Sequence, residues 1–237
     1  TLIAKGRVTP FIATLGGMAA FRSLSLAFAD GGEYRSEVSS FRFMGSGKLE
    51  LGFLPIAKDT PLPLHTPVMI FLAVAIAAHL LLRKTNFGLH VQAIGDNEKA
   101  ARYAAVPVDR VRILTYALSG LTCGIAALLI SSRLNSVSSS QTGTLYELDA
   151  IAAVVVGGTR MQGGSGRIWG TVVGVLILGV VNNLLNMLNP DVLGQIARTL
   201  HITWTHLDKL NVIHLQGLIK GAIIVAAVLV QRSGRST

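Results

Sequence analysis

The sequence predicts an all-α fold: a polytopic transmembrane helical bundle of about six spans, one of them short enough to be tilted, broken or re-entrant. Two observations carry this. Hydrophobic residues make up 51% of the 237-residue chain and charged residues 14%, where a soluble domain carries about a quarter charged. The apolar residues are also clustered into long runs, and a run of about 18 or more is long enough to cross the hydrocarbon layer as a helix.

Taken in order, the spans fall at residues 8–29, 67–82, 113–131, 145–156, 168–188 and 215–230. The first contains PFIATLGGMAAF. The fourth is short for a full crossing. Lys and Arg divide the connecting segments into two sets. One is dense: Lys5 and Arg7; Arg83, Lys84, Lys99, Arg102, Arg110 and Arg112; Arg160 and Arg167; Arg232 and Arg235. The other is sparser and mixed with acids such as Asp30, Glu33 and Glu50. The dense set faces the cytoplasm. Both ends of the chain are then inside, and residues 30–64, 132–144 and 189–213 face outward. If the fourth span is re-entrant, the last two helices invert.

The net charge of +9 is accounted for by this loop placement, so nucleic acid is not an expected partner. Cys123 stands alone in an apolar run and offers neither a disulfide framework nor a cysteine metal site. The connecting segments are too short to hold a soluble domain with a sizeable core. The chain starts at Thr1 without Met or a signal-peptide pattern, and reads as the C-terminal part of a single longer transmembrane domain.

Residues 95–112, GDNEKAARYAAVPVDRVR, form a basic polar island between spans. Asp96 is suited to cap a helix and Glu98 to its first turn. EKAARYAAV reads as two to three turns stopped by Pro107. Ala100, Ala101, Ala104 and Ala105 make one side small enough to enter a groove on a partner, while Lys99 and Arg102 hold the helix at the membrane surface. The competing reading is an ordinary interfacial helix.

Residues 157–170, GGTRMQGGSGRIWG, nearly match a phosphate-binding loop from Gly158 to Ser165. Gly164 occupies the position of the required lysine, so a tight turn between helices is the better reading. Gly166, Gly170 and Gly174 continue at a spacing of four, a stripe that admits a second helix backbone, and Gly157 and Gly158 belong to the same packing device. Thr144 to Glu147 fits a capping box, with Asp149 adding negative charge at the same helix end. Asn182, Asn183 and Asn186 put amides in an apolar helix, with Asn182 and Asn186 on one face. They would bond other helices or the hydroxyls of an uncharged polyol passing by. His201, His206, His214 and Asp208 lack the spacing of a compact metal site, and no set of residues suggests catalysis.

Several stretches, in order, resemble the permease subunits of bacterial ABC importers for simple sugars, the ribose-type branch above all. These are PFIATLGGMAAFRSLSL, AIGDNEKAARYAAVPVDRVRILTYALSGLTCGIAALL, YELDAIAAVVVGGTRMQGGSGRIWGTVVGVLILGVVNNLLNML and GLIKGAIIVAAVLVQR. The resemblance implies a multi-pass protein of the bacterial inner membrane. It would pair with a second permease copy, identical or similar, and carry a monosaccharide. A cytoplasmic ABC ATPase supplies the energy and a periplasmic sugar-binding protein delivers the substrate. It implies no cofactor on the permease itself, and it makes residues 95–107 the cytoplasmic coupling-helix loop, with Gly95, Asp96, Glu98, Ala101 and Arg102 facing the ATPase. Two features depart from the family pattern: its N-terminal helices are not in this sequence, and the segment from about 198 to 215 is long. Branched-chain amino-acid permeases are a related alternative. A secondary carrier or channel without an ATPase is a different class, disfavoured because charges lie near span ends, with Arg22 and Lys220 as exceptions. A non-transporting membrane scaffold is a third.

Overall fold

The computed structural model describes residues 8–30, 32–36, 38–50, 63–187 and 221–222, with Ile3 and Gly6 ahead of them. The expected span at 215–230, the outward segment 189–213 with its histidines and Trp204, Lys220, and residues 51–62 lie outside the described residues, apart from Gly221 and Ala222. The chain divides into two compact units, Thr1–Thr144 and Leu145–Thr237.

In the first unit, α1 (Pro10–Phe28) opens with Pro at its first position, where the missing N–H costs nothing. No residue of α1 is buried, as suits a helix whose solvent is lipid. Arg22 is tied down. Its guanidinium donates to the Ser140 carbonyl and, at 3.1 Å, to the Thr144 hydroxyl. Strand β1 (Glu33–Arg35) pairs antiparallel with β4 (Ser136–Ser138), and the Ser136 hydroxyl donates to Glu33 at 2.7 Å. Helix α2 (Ser39–Ser46) packs on the end of α6 (Val108–Leu134). There a Cβ on Gly45 would collide with the Arg133 backbone, and Ser132 Oγ donates to the Phe41 carbonyl at 2.5 Å. Strands β2 (Lys48–Glu50) and β3 (Pro63–His65) form a second ribbon.

The described residues are mostly helical, as expected, and the two ribbons add short strands in the connections. Three-residue strands show no readable alternation, so period alone does not reveal them.

Three helices of the described residues are long and apolar enough to cross a membrane: α1, α3 (Thr66–Lys84) and α6. At 27 residues, α6 runs roughly 40 Å, more than the apolar layer requires. It ends on Asn135, whose left-handed backbone (φ 55°) is tolerated best by Asn among non-glycine residues.

In the second unit, α7 (Tyr146–Val156) has 11 residues, about 16 Å, and so is short for a crossing. Helix α8 (Ile168–Met187) follows it. The expected capping box does not form. The N-cap position of α7 is Leu145, at φ 65° and without a side-chain cap, and the Thr144 hydroxyl accepts from Arg22.

Candidate functional site: the α4–α5–α6 elbow

The polar island is a folded corner. Helix α4 (Asn86–Asp96) starts immediately after α3, and Thr85 Oγ1 accepts from the Gly88 N–H at 3.4 Å. The chain turns so closely that a Cβ on Gly88 would collide with the Leu82 carbonyl. A single residue, Asn97, in extended backbone (φ −152°, ψ 102°), separates α4 from the six-residue α5 (Glu98–Tyr103). Its Oδ1 accepts from the Ala100 N–H at 3.1 Å, which is the N-cap bond of α5. Asn97, not Asp96, is therefore the cap; Asp96 is the last residue of α4.

The helix is also shorter than its sequence suggests. It ends at Tyr103, before Pro107, because Ala105 takes a left-handed backbone (φ 58°) that returns the chain toward α6. The Val106 N–H bonds the Ala101 carbonyl in that return, and Pro107 becomes the N-cap residue of α6.

Four charged side chains lie across the corner. Arg102 Nη2 sits 3.1 Å from Glu98 Oε1 and 3.1 Å from Asp109 Oδ1. Arg112 Nη2 sits 2.7 Å from Glu98 Oε2. Each oxygen of Glu98 thus serves a different arginine. Hydrogen bonds from Arg102 first, then from Arg112, hold the Glu98 carboxyl below its ordinary value of 4.5. The same contacts, with Glu98 first and Asp109 next, raise Arg102.

Ala101, Val108 and Val111 are buried beneath this charged edge. At 4% exposure, Ala101 points into the protein and is not available to a partner. The outward face is made by Lys99, Ala100, Tyr103 and Ala104, with Tyr103 92% exposed. Asp96 and Arg102 are exposed beside it, whereas Gly95 and Glu98 are half-buried.

The glycine stretch joins α7 to α8 by direct backbone contact. A Cβ on Gly170 would collide with the Gly157 carbonyl, and one on Gly174 with the Ala153 carbonyl. On Gly157 it would lie 2.5 Å from the Gly170 carbonyl carbon. Gly166 faces the Thr159 side chain, while Gly158 has open space and a backbone (φ 83°) that favours glycine. Ala152, Ala153 and Leu178 form the buried cluster of this hairpin. Further along α8, Asn182 is half-buried and Asn183 exposed, with Asn186 one turn beyond Asn182. Among the described residues no group of three or more His, Cys, Asp and Glu is placed to hold a metal ion.

Residues 1–228 match the family described as branched-chain amino acid transport system / permease component. The chain belongs to that family. It is 40% identical over 231 residues to the ribose import permease protein RbsC of Bacillus subtilis, a match spanning 98% of this chain and 62% of that protein. Over 191 residues it is 40% identical to RbsC of Escherichia coli K12, covering 79% of this chain and 56% of the relative. The L-arabinose transport system permease protein AraH of Escherichia coli K12 is 39% identical over 194 residues, 82% of this chain and 55% of that protein. The chain thus spans less than two thirds of the length of these relatives. No solved structure matches it.

Within this permease chain, four features of the corner were not read from the sequence. The spacing of Glu98 and Arg102 at i, i+4 was a readable signal for their pair. Asn97, adjacent to Glu98, was a readable cap. The reach of Arg112 back to Glu98 depends on the left-handed Ala105 and has no local signature. The exposure of Tyr103 depends on which side of a six-residue helix meets α6.

Proposed function

We propose that this chain is the C-terminal part of the transmembrane domain of an ABC importer permease that carries a monosaccharide of the ribose type across the bacterial inner membrane. It performs no chemistry. A separate cytoplasmic ATPase drives it, a periplasmic binding protein delivers the sugar, and a second permease copy completes the path. In this reading the elbow is cytoplasmic, residues 30–64 and 189–213 face outward, and about six spans make one domain. The observation that carries the reading is the 40% identity to a ribose import permease along nearly the whole chain.

The elbow supports a docking role through its shape. A capped, ion-paired helix turns a bare aromatic side chain and two alanines outward, so a partner meets a rigid knob and not a mobile loop. Asn182, Asn183 and Asn186 are proposed to line the sugar path, since amides both donate to and accept from hydroxyls.

Uptake of labelled ribose by cells carrying the full-length permease, its ATPase and its binding protein tests the function. Competition by unlabelled ribose or arabinose, and not by leucine, is expected. Competition by leucine alone favours the amino-acid branch named in the family description.

A further inference from the structure

The ion pairs of the elbow do more than decorate a surface helix. Followed residue by residue, they run Asp109–Arg102–Glu98–Arg112. The line begins and ends on the first turns of α6, at positions three apart, and passes through α5 in between. The four charges sum to zero, so each is needed to balance the rest. The chain passes from α4 to α5 through one extended residue, Asn97, and α4 packs against both α5 and α6. The charged groups named here all pair within α5 and α6. The buried side chains below them, Ala101, Val108 and Val111, belong to the same two helices.

We infer that Glu98 and Arg112 are positioning residues that clamp α5 to α6, so that a displacement of the docked helix is passed to the long span α6. This rests on the reading that α5 docks the ATPase. It assigns Glu98 a different role from a contact residue: its carboxylate faces the protein's own arginines and not the partner.

The test uses the complete permease with its ATPase and binding protein in proteoliposomes. Three quantities are measured: retention of the ATPase on the permease, ATP hydrolysis, and sugar moved per ATP. Glu98→Gln keeps the shape and removes the charge, Arg112→Gln removes the α6 end of the clamp, and Arg112→Lys keeps the charge there. The expected result is that both Gln variants retain the ATPase and hydrolyse ATP. Sugar moved per ATP then falls about two- to fivefold, the scale of losing one partly exposed pair, and Arg112→Lys restores most of it. Independently, spin labels at Lys99 and Leu114, in a Cys123→Ser background, should give a narrow distance distribution that broadens in Glu98→Gln. Unchanged sugar per ATP with an unbroadened distribution overturns the clamp. Loss of ATPase retention in Glu98→Gln also overturns it, because Glu98 would then be a docking contact. An unsubstituted permease that never retains the ATPase removes the docking reading, and the clamp with it.

Discussion

The elbow between α5 and α6 and the hairpin between α7 and α8 solve the same problem, holding two helices together, by opposite means. At the elbow, charged side chains reach across the corner over a few small buried residues. At the hairpin, side chains are removed altogether, and backbone meets backbone at Gly157, Gly170 and Gly174. Ion pairs between long side chains hold α5 to α6 across a gap, and salt can screen them. A glycine contact has no slack, because the atom that an added methyl would strike is a carbonyl. The first unit thus holds its corner by charge and the second holds its hairpin by close backbone contact.

The sharpest way to break the comparison is to add bulk to the hairpin. Gly174→Leu should destabilise the protein by about 3 kcal/mol, since the obstruction is backbone. A large fall in the thermal midpoint in detergent checks this. Gly179→Ala in the same helix has open space around it and should gain up to about 1 kcal/mol. Equal effects at the two positions would show that the hairpin is not held by close approach.

Next in size is the contrast between neighbouring alanines of α5. Ala101→Phe should cost about 2 kcal/mol by overpacking a buried position, while Ala100→Phe, on the exposed side, should leave the melting temperature unchanged. A third step removes the outward aromatic side chain. Tyr103→Ala should weaken ATPase retention about tenfold without changing stability, on the scale of losing one aromatic anchor, measured by titrating purified ATPase onto the permease.

The smallest effect is that of pH. Because hydrogen bonds from Arg102 and Arg112 lower the Glu98 carboxyl, its contribution is fully present at neutral pH. It is lost only as pH falls through that depressed value. The Lys99–Leu114 distance distribution should therefore stay constant from about pH 7 to 5 and broaden below about pH 4.

Much of the helical layout was legible because long apolar runs announce themselves. The expected spans at 8–29, 67–82, 113–131, 145–156 and 168–188 correspond to α1, α3, α6, α7 and α8 within a few residues at most ends. The shortness of α7 was readable from its length alone. The site was legible only in outline. Glu98 lies in the first turn of α5 as its charge suggests, but the cap moved by one residue to Asn97, since both residue types cap and composition cannot choose between them. Ala101 reads as a docking surface and is buried, because a run of alanines does not say which of them faces the protein. The pairing of Arg22 with Ser140 and Thr144 bridges more than a hundred residues, beyond the reach of any local pattern.

The outward face of α5 is proposed to meet the ATPase. A photo-crosslinking amino acid placed at Tyr103, in the full-length permease assembled with its ATPase and binding protein, tests it most directly. An adduct with the ATPase is expected, and it should be lost when the crosslinker is moved to the buried Val108. Crosslinking only to lipid or to the permease itself, while the ATPase remains bound, would contradict it.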